Sequence, residues 1–116
     1  MLGAGEQSVN RNSGYGKLVR DRIPQIIRGN GAEPVTYVAD AEEYRDRLRD
    51  KLGEEVAEFL QADDARAPEE LADVLEVLHA LAADLGVDAR QLEKIRQGKA
   101  IERGGFANRI VWTGNR

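Results

Sequence analysis

The sequence predicts an all-α protein, a small helical bundle built on two long antiparallel helices and completed by association with further copies of the chain. Three observations predict it. Apolar residues recur at spacings of three and four through residues 41–63 and again through 68–85, the period of an amphipathic helix. A short polar break, DDARAP, separates the two stretches, so the second helix turns back on the first. The 116 residues hold no long structureless interruption within this periodic part, which leaves room for one domain and no separate substrate domain. A core of this size is modest, so part of the apolar stripe is expected to be covered by a second copy, in a homodimer or homotetramer.

Each element follows from local signals. Residues 1–14, MLGAGEQSVNRNSG, are rich in Gly, Ser and Asn and lack apolar periodicity; they read as a flexible leader ahead of a domain spanning 15–116. GKLVRDRIPQIIRGNG places Pro24 at a first helical position and Gly29, Asn30 and Gly31 at a stop, giving a short helix over about 23–29. EPVTYVAD alternates as a short extended segment ending at Asp40, and Asp40 with Glu43 forms a capping-box-like start. The first long helix carries Tyr44, Leu48, Leu52, Val56 and Phe59 on its stripe. The second has Pro68 in its first turn, carries Leu71, Val74, Leu78, Leu81 and Leu85, and stops at Gly86. Asp88 and Gln91 open a last helix that Gly98 weakens and Gly104 and Gly105 end; FANRIVWTG follows as a short extended tail. There is no internal repeat.

Composition excludes several functions. A net charge of -4 and a pI near 5.1 argue against a nucleic-acid polymer as partner. No apolar run approaches the roughly 20 residues that span a bilayer, and there is no signal-peptide core, so no membrane is expected and the cytoplasm is. With no cysteine, disulfides, thiolate catalysis and thiolate metal sites are ruled out. A metal site must use oxygen ligands or the single histidine.

The decisive feature is EEVAE at 54–58 followed by EELAD at 69–73. Glu55 and Glu58, then Glu70 and Asp73, are each spaced by three, so each pair shares a helix face. A rotation of about 100° per residue places Glu55 amid Leu48, Leu52 and Phe59 with Glu58 at the border, and Glu70 between Val77 and Leu81 with Asp73 at the border. Glu69 and Glu76 point away from the stripe, and Glu54 lies off it. Solvated acidic faces are the ordinary use of such residues. Carboxylates on an apolar stripe instead repel one another and need a cation, because burying one unpaired costs several kcal/mol. A hard divalent ion, Mg²⁺ or alternatively Mn²⁺, suits carboxylate oxygens and bridges them to substrate phosphates.

EExxE followed by ExxD on consecutive helices resembles the all-α nucleoside triphosphate pyrophosphatases of the MazG-like superfamily. KLVRDRIP at 17–24 and GKAIERGGF at 98–106 resemble flanks of its phosphoribosyl-ATP-pyrophosphohydrolase-like branch. The resemblance covers residues 15 to about 112, with only the eleven residues 59–69 between the acidic motifs. It implies a MazG-like bundle and metal ligation by Glu55, Glu58, Glu70 and Asp73. It also offers Lys17, Arg20, Lys99 and Arg103 as phosphate-binding candidates, with ordinary surface charge as the plain alternative. Lys51, one turn before Glu55, neutralises the acids.

The expected function is Mg²⁺-dependent hydrolysis of a nucleoside triphosphate or related nucleotide to the monophosphate and pyrophosphate, including house-cleaning of non-standard nucleotides. Phosphoribosyl-ATP hydrolysis in histidine biosynthesis is one alternative, and a non-catalytic metal-binding dimerisation bundle another. No GxxxxGK or GxGxxG loop is present, so attack of an activated water near the α-phosphorus fits better than P-loop chemistry. Glu54 and Glu55 are the candidate catalytic bases, beside a metal-bound hydroxide. Glu76 and His79 form a Glu-x-x-His pair that invites a di-iron bundle, but both fall opposite Leu78 and Leu81, toward solvent. Base stacking has few candidates, chiefly Tyr15, Tyr37, Tyr44, Phe59, Phe106 and Trp112.

Overall fold

Local stop and start signals divide the chain where they are expected. The structure, a computed structural model, describes residues 16–116; the leader and Tyr15 lie outside the described residues. Helix α1 runs Ile23–Gly29 with Pro24 in its first turn. Gly31, at φ +91, ends it: the N–H groups of Gly31 and Ala32 donate to the carbonyls of Arg28 and Ile27 at 3.0 and 3.3 Å. This reversed pair of bonds satisfies carbonyls that an open helix end would leave bare.

Residues 32–39 form no helix or ladder, and no strand occurs among the described residues, because the extended segment finds no second strand to pair with. Helix α2 spans Ala41–Gln61, capped by the Asp40 carboxylate, which accepts from the Glu43 N–H at 2.8 Å. The reciprocal half of the expected capping box is replaced. The Glu43 carboxylate accepts instead from the Tyr37 hydroxyl and from Arg47.

Asp63 then reverses the chain. Its carboxylate accepts from the Arg66 N–H at 2.9 Å and its carbonyl from the Ala67 N–H at 2.9 Å. Helix α3, Ala67–Asp84, returns along α2, and Arg45 near the start of α2 donates to Asp84 at the end of α3 at 2.8 Å. Gly86, at φ +82, closes α3 with bonds from Gly86 and Val87 to Ala83 and Ala82. Helix α4, Ala89–Arg103, opens with a complete capping box between Asp88 and Gln91 and packs on α3. No helix of the described residues is long and apolar enough to cross a membrane.

Among the described residues the buried apolar core is small: Leu48 on α2 with Val77 and Ala82 on α3. The face that α3 presents to α2 carries Glu70 and Val77, with Asp73 half-buried, rather than the expected leucine stripe. Leu71, Leu75 and Leu78 of α3 and Leu85, which caps it, are exposed, together with Val56 and Leu60 of α2. The apolar residues of α3 wrap more of its circumference than one neighbour can cover, and α2 covers the side bearing the acids. A row of leucines on the outer side is a contiguous apolar patch, unlike isolated surface leucines.

The two kinds of glycine should answer a mutation in opposite directions. A Cβ at Gly86 or Gly98 meets nothing within 4 Å, so only backbone conformation matters. Gly86→Ala should lower the unfolding free energy by about 1–2 kcal/mol, the left-handed penalty. Gly98→Ala, inside α4, should raise it by about 0.5–1 kcal/mol. Urea denaturation of the two variants measures both.

Candidate metal centre

The inner face of α2 carries a row of charged residues at four-residue steps, Glu43, Arg47, Lys51 and Glu55, which helical periodicity stacks one above the other. The row is neutralised in pairs: Arg47 Nε lies 3.1 Å from Glu43 Oε2, and Lys51 Nζ 3.5 Å from Glu55 Oε1. Burial disfavours the Arg47 guanidinium charge, but hydrogen bonds to Glu43 and Tyr37 outweigh it and raise the pKa.

Antiparallel pairing brings the acids of the two helices together. Oxygens of Glu54, Glu55 and Glu58 lie within 4.8 Å of one another, as do those of Glu55, Glu70 and Asp73, so Glu55 joins two groups of three. Glu55 and Glu70 are each only 8 % exposed, Glu54 and Asp73 are half-buried, and Glu58 stands exposed at the edge. The second oxygens, Oε2 of Glu55 and of Glu70, are buried with no hydrogen-bond partner. A buried carboxylate oxygen left bare is costly, and a cation is the partner that would satisfy several at once. An all-carboxylate donor set of this kind fits a hard divalent ion such as Mg²⁺ or Mn²⁺. Burial pushes the Glu55 carboxyl pKa up, Glu58 and Asp73 push it further, and Lys51 opposes them.

Residues 16–22 lie against this centre and bring cations to it. Lys17 Nζ is 3.5 Å from Glu54 Oε1, which Lys51 also approaches at 3.5 Å, and Arg20 Nη2 is 2.7 Å from Asp73 Oδ1. Arg66 reaches Glu70 at 4.0 Å. Two hollows flank the segment. One, of about 460 Å³, is lined by Lys17, Arg47, Asp50, Lys51 and Glu54 among others. The other, of about 350 Å³, has Glu55 and Asp73 in its wall with Leu18, Val19, Tyr44 and Val77.

Thus Glu54, Glu55, Glu58, Glu70, Asp73, Lys17 and Arg20 come together in space. Lys99 and Arg103 do not join them: they are exposed on α4, line neither hollow, and Arg103 pairs with its neighbour Glu102. On α3, Glu76 is solvated as expected, whereas His79 is less so. Glu76 is exposed, yet it borders the second hollow with Asp73, one turn away; His79 is half-buried and belongs to neither acidic group. Among the described residues Tyr44 is the one aromatic in the walls of these two hollows, while Phe106 and Trp112 are exposed on the tail. Sequence reading missed the Tyr37–Glu43–Arg47 network. The four-residue spacing of Glu43 and Arg47 signals a pair, but nothing local signals Tyr37.

A sequence-family profile described as phosphoribosyl-ATP pyrophosphohydrolase matches residues 22–98. A curated protein of Mycolicibacterium smegmatis, itself described as uncharacterized, is 51% identical over 47 residues, which are 40% of this chain and 48% of that protein. The chain therefore spans about half the length of this relative. No solved structure gives a significant match.

The raised Glu55 pKa has a consequence for the metal-free protein. A carboxyl whose folded pKa exceeds its unfolded value contributes stability that is fully present below the unfolded pKa and is lost as pH rises through the folded one. Glu55→Gln, which removes the charge, should therefore raise the melting temperature most near pH 7 to 8, and the gain should shrink as pH falls to about 4, where the wild-type carboxyl is protonated too. Melting curves of both proteins in chelator test this; a difference independent of pH would contradict it.

Proposed function

Because the chain belongs to the phosphoribosyl-ATP pyrophosphohydrolase family, we propose that it hydrolyses a nucleoside triphosphate or closely related nucleotide to the monophosphate and pyrophosphate, with Mg²⁺ as cofactor. The observation that carries this reading is the pair of carboxylate groups sharing Glu55, with buried, unpartnered oxygens on Glu55 and Glu70, beside a segment that carries Lys17 and Arg20. Glu55, Glu58, Glu70 and Asp73 hold the ion. When bound it supplies charge stabilisation on the phosphate oxygens and a more acidic water.

The chain's own residues do the rest. Glu54 or Glu55 accepts a proton from the attacking water, whose oxygen bonds to the α-phosphorus as the bridging oxygen to the β-phosphorus departs with pyrophosphate. Lys17 and Arg20 meet the phosphate oxygens through charge-assisted hydrogen bonds. Lys99 and Arg103 are the outlying candidates for the same task. The family description favours phosphoribosyl-ATP as one substrate to set beside ordinary, deoxy and damaged triphosphates. The exposed leucine row of α3 supports a homodimer or homotetramer, and a cysteine-free chain suits the cytoplasm.

Pyrophosphate release from that substrate panel in Mg²⁺ tests the activity directly, and absence of release from every member would overturn it. Glu58→Gln and Asp73→Asn should each lose at least about tenfold in turnover, the usual cost of a lost ligand, with helical content unchanged. Arg20→Ala should raise KM or lower kcat while Mg²⁺ binding without nucleotide stays as tight or tightens, since a competitor for Asp73 is gone. Wild-type constants for Arg103→Ala would remove α4 from the site. Sedimentation at micromolar concentration should give a dimer or larger; a fully active monomer would contradict the assembly.

A further inference from the structure

Arg47 occupies an unusual position. Its side chain is only 8% exposed, and its guanidinium touches three separate parts of the chain. Nε donates to the Glu43 carboxylate at 3.1 Å, Nη2 to the Tyr37 hydroxyl at 3.4 Å, and Nη1 to the Gly16 carbonyl at 2.9 Å. The Tyr37 hydroxyl in turn donates to Glu43 at 2.5 Å, so Oε2 of Glu43 accepts from both Tyr37 and Arg47. Only a planar fork with several donors reaches acceptors this far apart; an ammonium would serve one or two.

The carbonyl that Arg47 grips precedes Lys17. Gly16 takes φ +75, a left-handed conformation, so the chain bends at the gripped residue. From there residues 17–22 run without helix to α1, carrying Lys17 to Glu54 and Arg20 to Asp73. Lys17 and Arg20 themselves have side chains 63% and 56% exposed, so their own burial does little to fix them. Arg47 also lines the same hollow as Lys17, Lys51 and Glu54.

We propose that Arg47 is a positioning residue: by holding the Gly16 carbonyl it sets where Lys17 and Arg20 stand, and so sets the grip on the nucleotide's phosphates without touching them. This rests on the reading of Lys17 and Arg20 as phosphate contacts given above. Glu43 and Tyr37 complete the device by keeping the guanidinium aimed and its charge compensated. Misplacement of a phosphate contact by a fraction of its hydrogen-bond length weakens it sharply.

The test uses the full chain with Mg²⁺ and the best nucleotide of the panel. Arg47→Ala alone strands Glu43 buried and unpaired and risks misfolding. The main variant is therefore the double substitution Glu43→Gln with Arg47→Met, which removes both charges, with Tyr37→Phe as a milder companion. The double variant should raise KM about tenfold with kcat changed less, the scale of a lost charge-assisted contact. Adding Arg20→Ala should then cost less than it does in the wild type, because the contact is already loosened. Trypsin should cut after Lys17 and Arg20 faster in the double variant, with Mg²⁺ binding and helical content retained. If Lys17→Ala and Arg20→Ala leave KM at the wild-type value, the phosphate assignment falls and this proposal with it. If those variants raise KM while the folded double variant does not, or if its effect and that of Arg20→Ala simply add, the positioning role alone is overturned.

Discussion

Two carboxylates, Glu55 on α2 and Glu70 on α3, face the same buried space, each with an oxygen that no hydrogen bond satisfies. In a chain this small such an arrangement is expensive, since bare buried carboxylate oxygens forfeit hydration and repel one another. The surrounding structure is organised around that cost. Lys51 sits one turn below Glu55, Arg66 one turn before Glu70, and Lys17 and Arg20 arrive from the other end of the fold. These cations lie at 2.7 to 4.0 Å from the acids and leave the inner oxygens unmet. The residual demand is what makes the site suited to a divalent ion.

The same constraint shapes the packing. Because the side of α3 that meets α2 is given to Glu70, Asp73 and Val77, the apolar residues shared between the helices are few, and Leu71, Leu75, Leu78 and Leu85 are left on the outside. A two-helix contact that is partly acidic stabilises less than one that is wholly apolar. An uncovered leucine row on the opposite side of the helix is therefore the natural counterpart of an acidic inner face, and gives association between copies a physical motive.

The segment 16–22 links the network at Arg47 to the acids. Its cations stand where both the ion and the phosphates of a nucleotide would be felt, while its backbone is held at Gly16 by Arg47, two turns before Glu55 on the same face of α2. On the proposed function, binding the ion and binding the substrate would depend on different residues of one surface, so acid and base substitutions should fail in different ways.

How much of this was legible in the sequence depends on how local each cause is. Helix α1 begins at Pro24 and ends before Gly31, α3 ends before Gly86, and α4 opens at the Asp88–Gln91 capping box, because caps, prolines and left-handed glycines act within a few residues. The pairing of Glu55 with Glu58 and of Glu70 with Asp73 was legible for the same reason: helical period alone puts each pair on one face. Tertiary structure decided which of two faces of α3 meets α2, and hence that the leucine stripe is outside while Glu76 borders the hollow beside Asp73. It also took Glu43 from the expected capping box and gave it to Tyr37 and Arg47, and it brought Lys17 and Arg20, but not Lys99 and Arg103, to the acids. Periodicity measures the angle between residues on one helix but carries no information about which neighbour fills that angle, and contacts across 31 to 53 positions are set only when the helices pack.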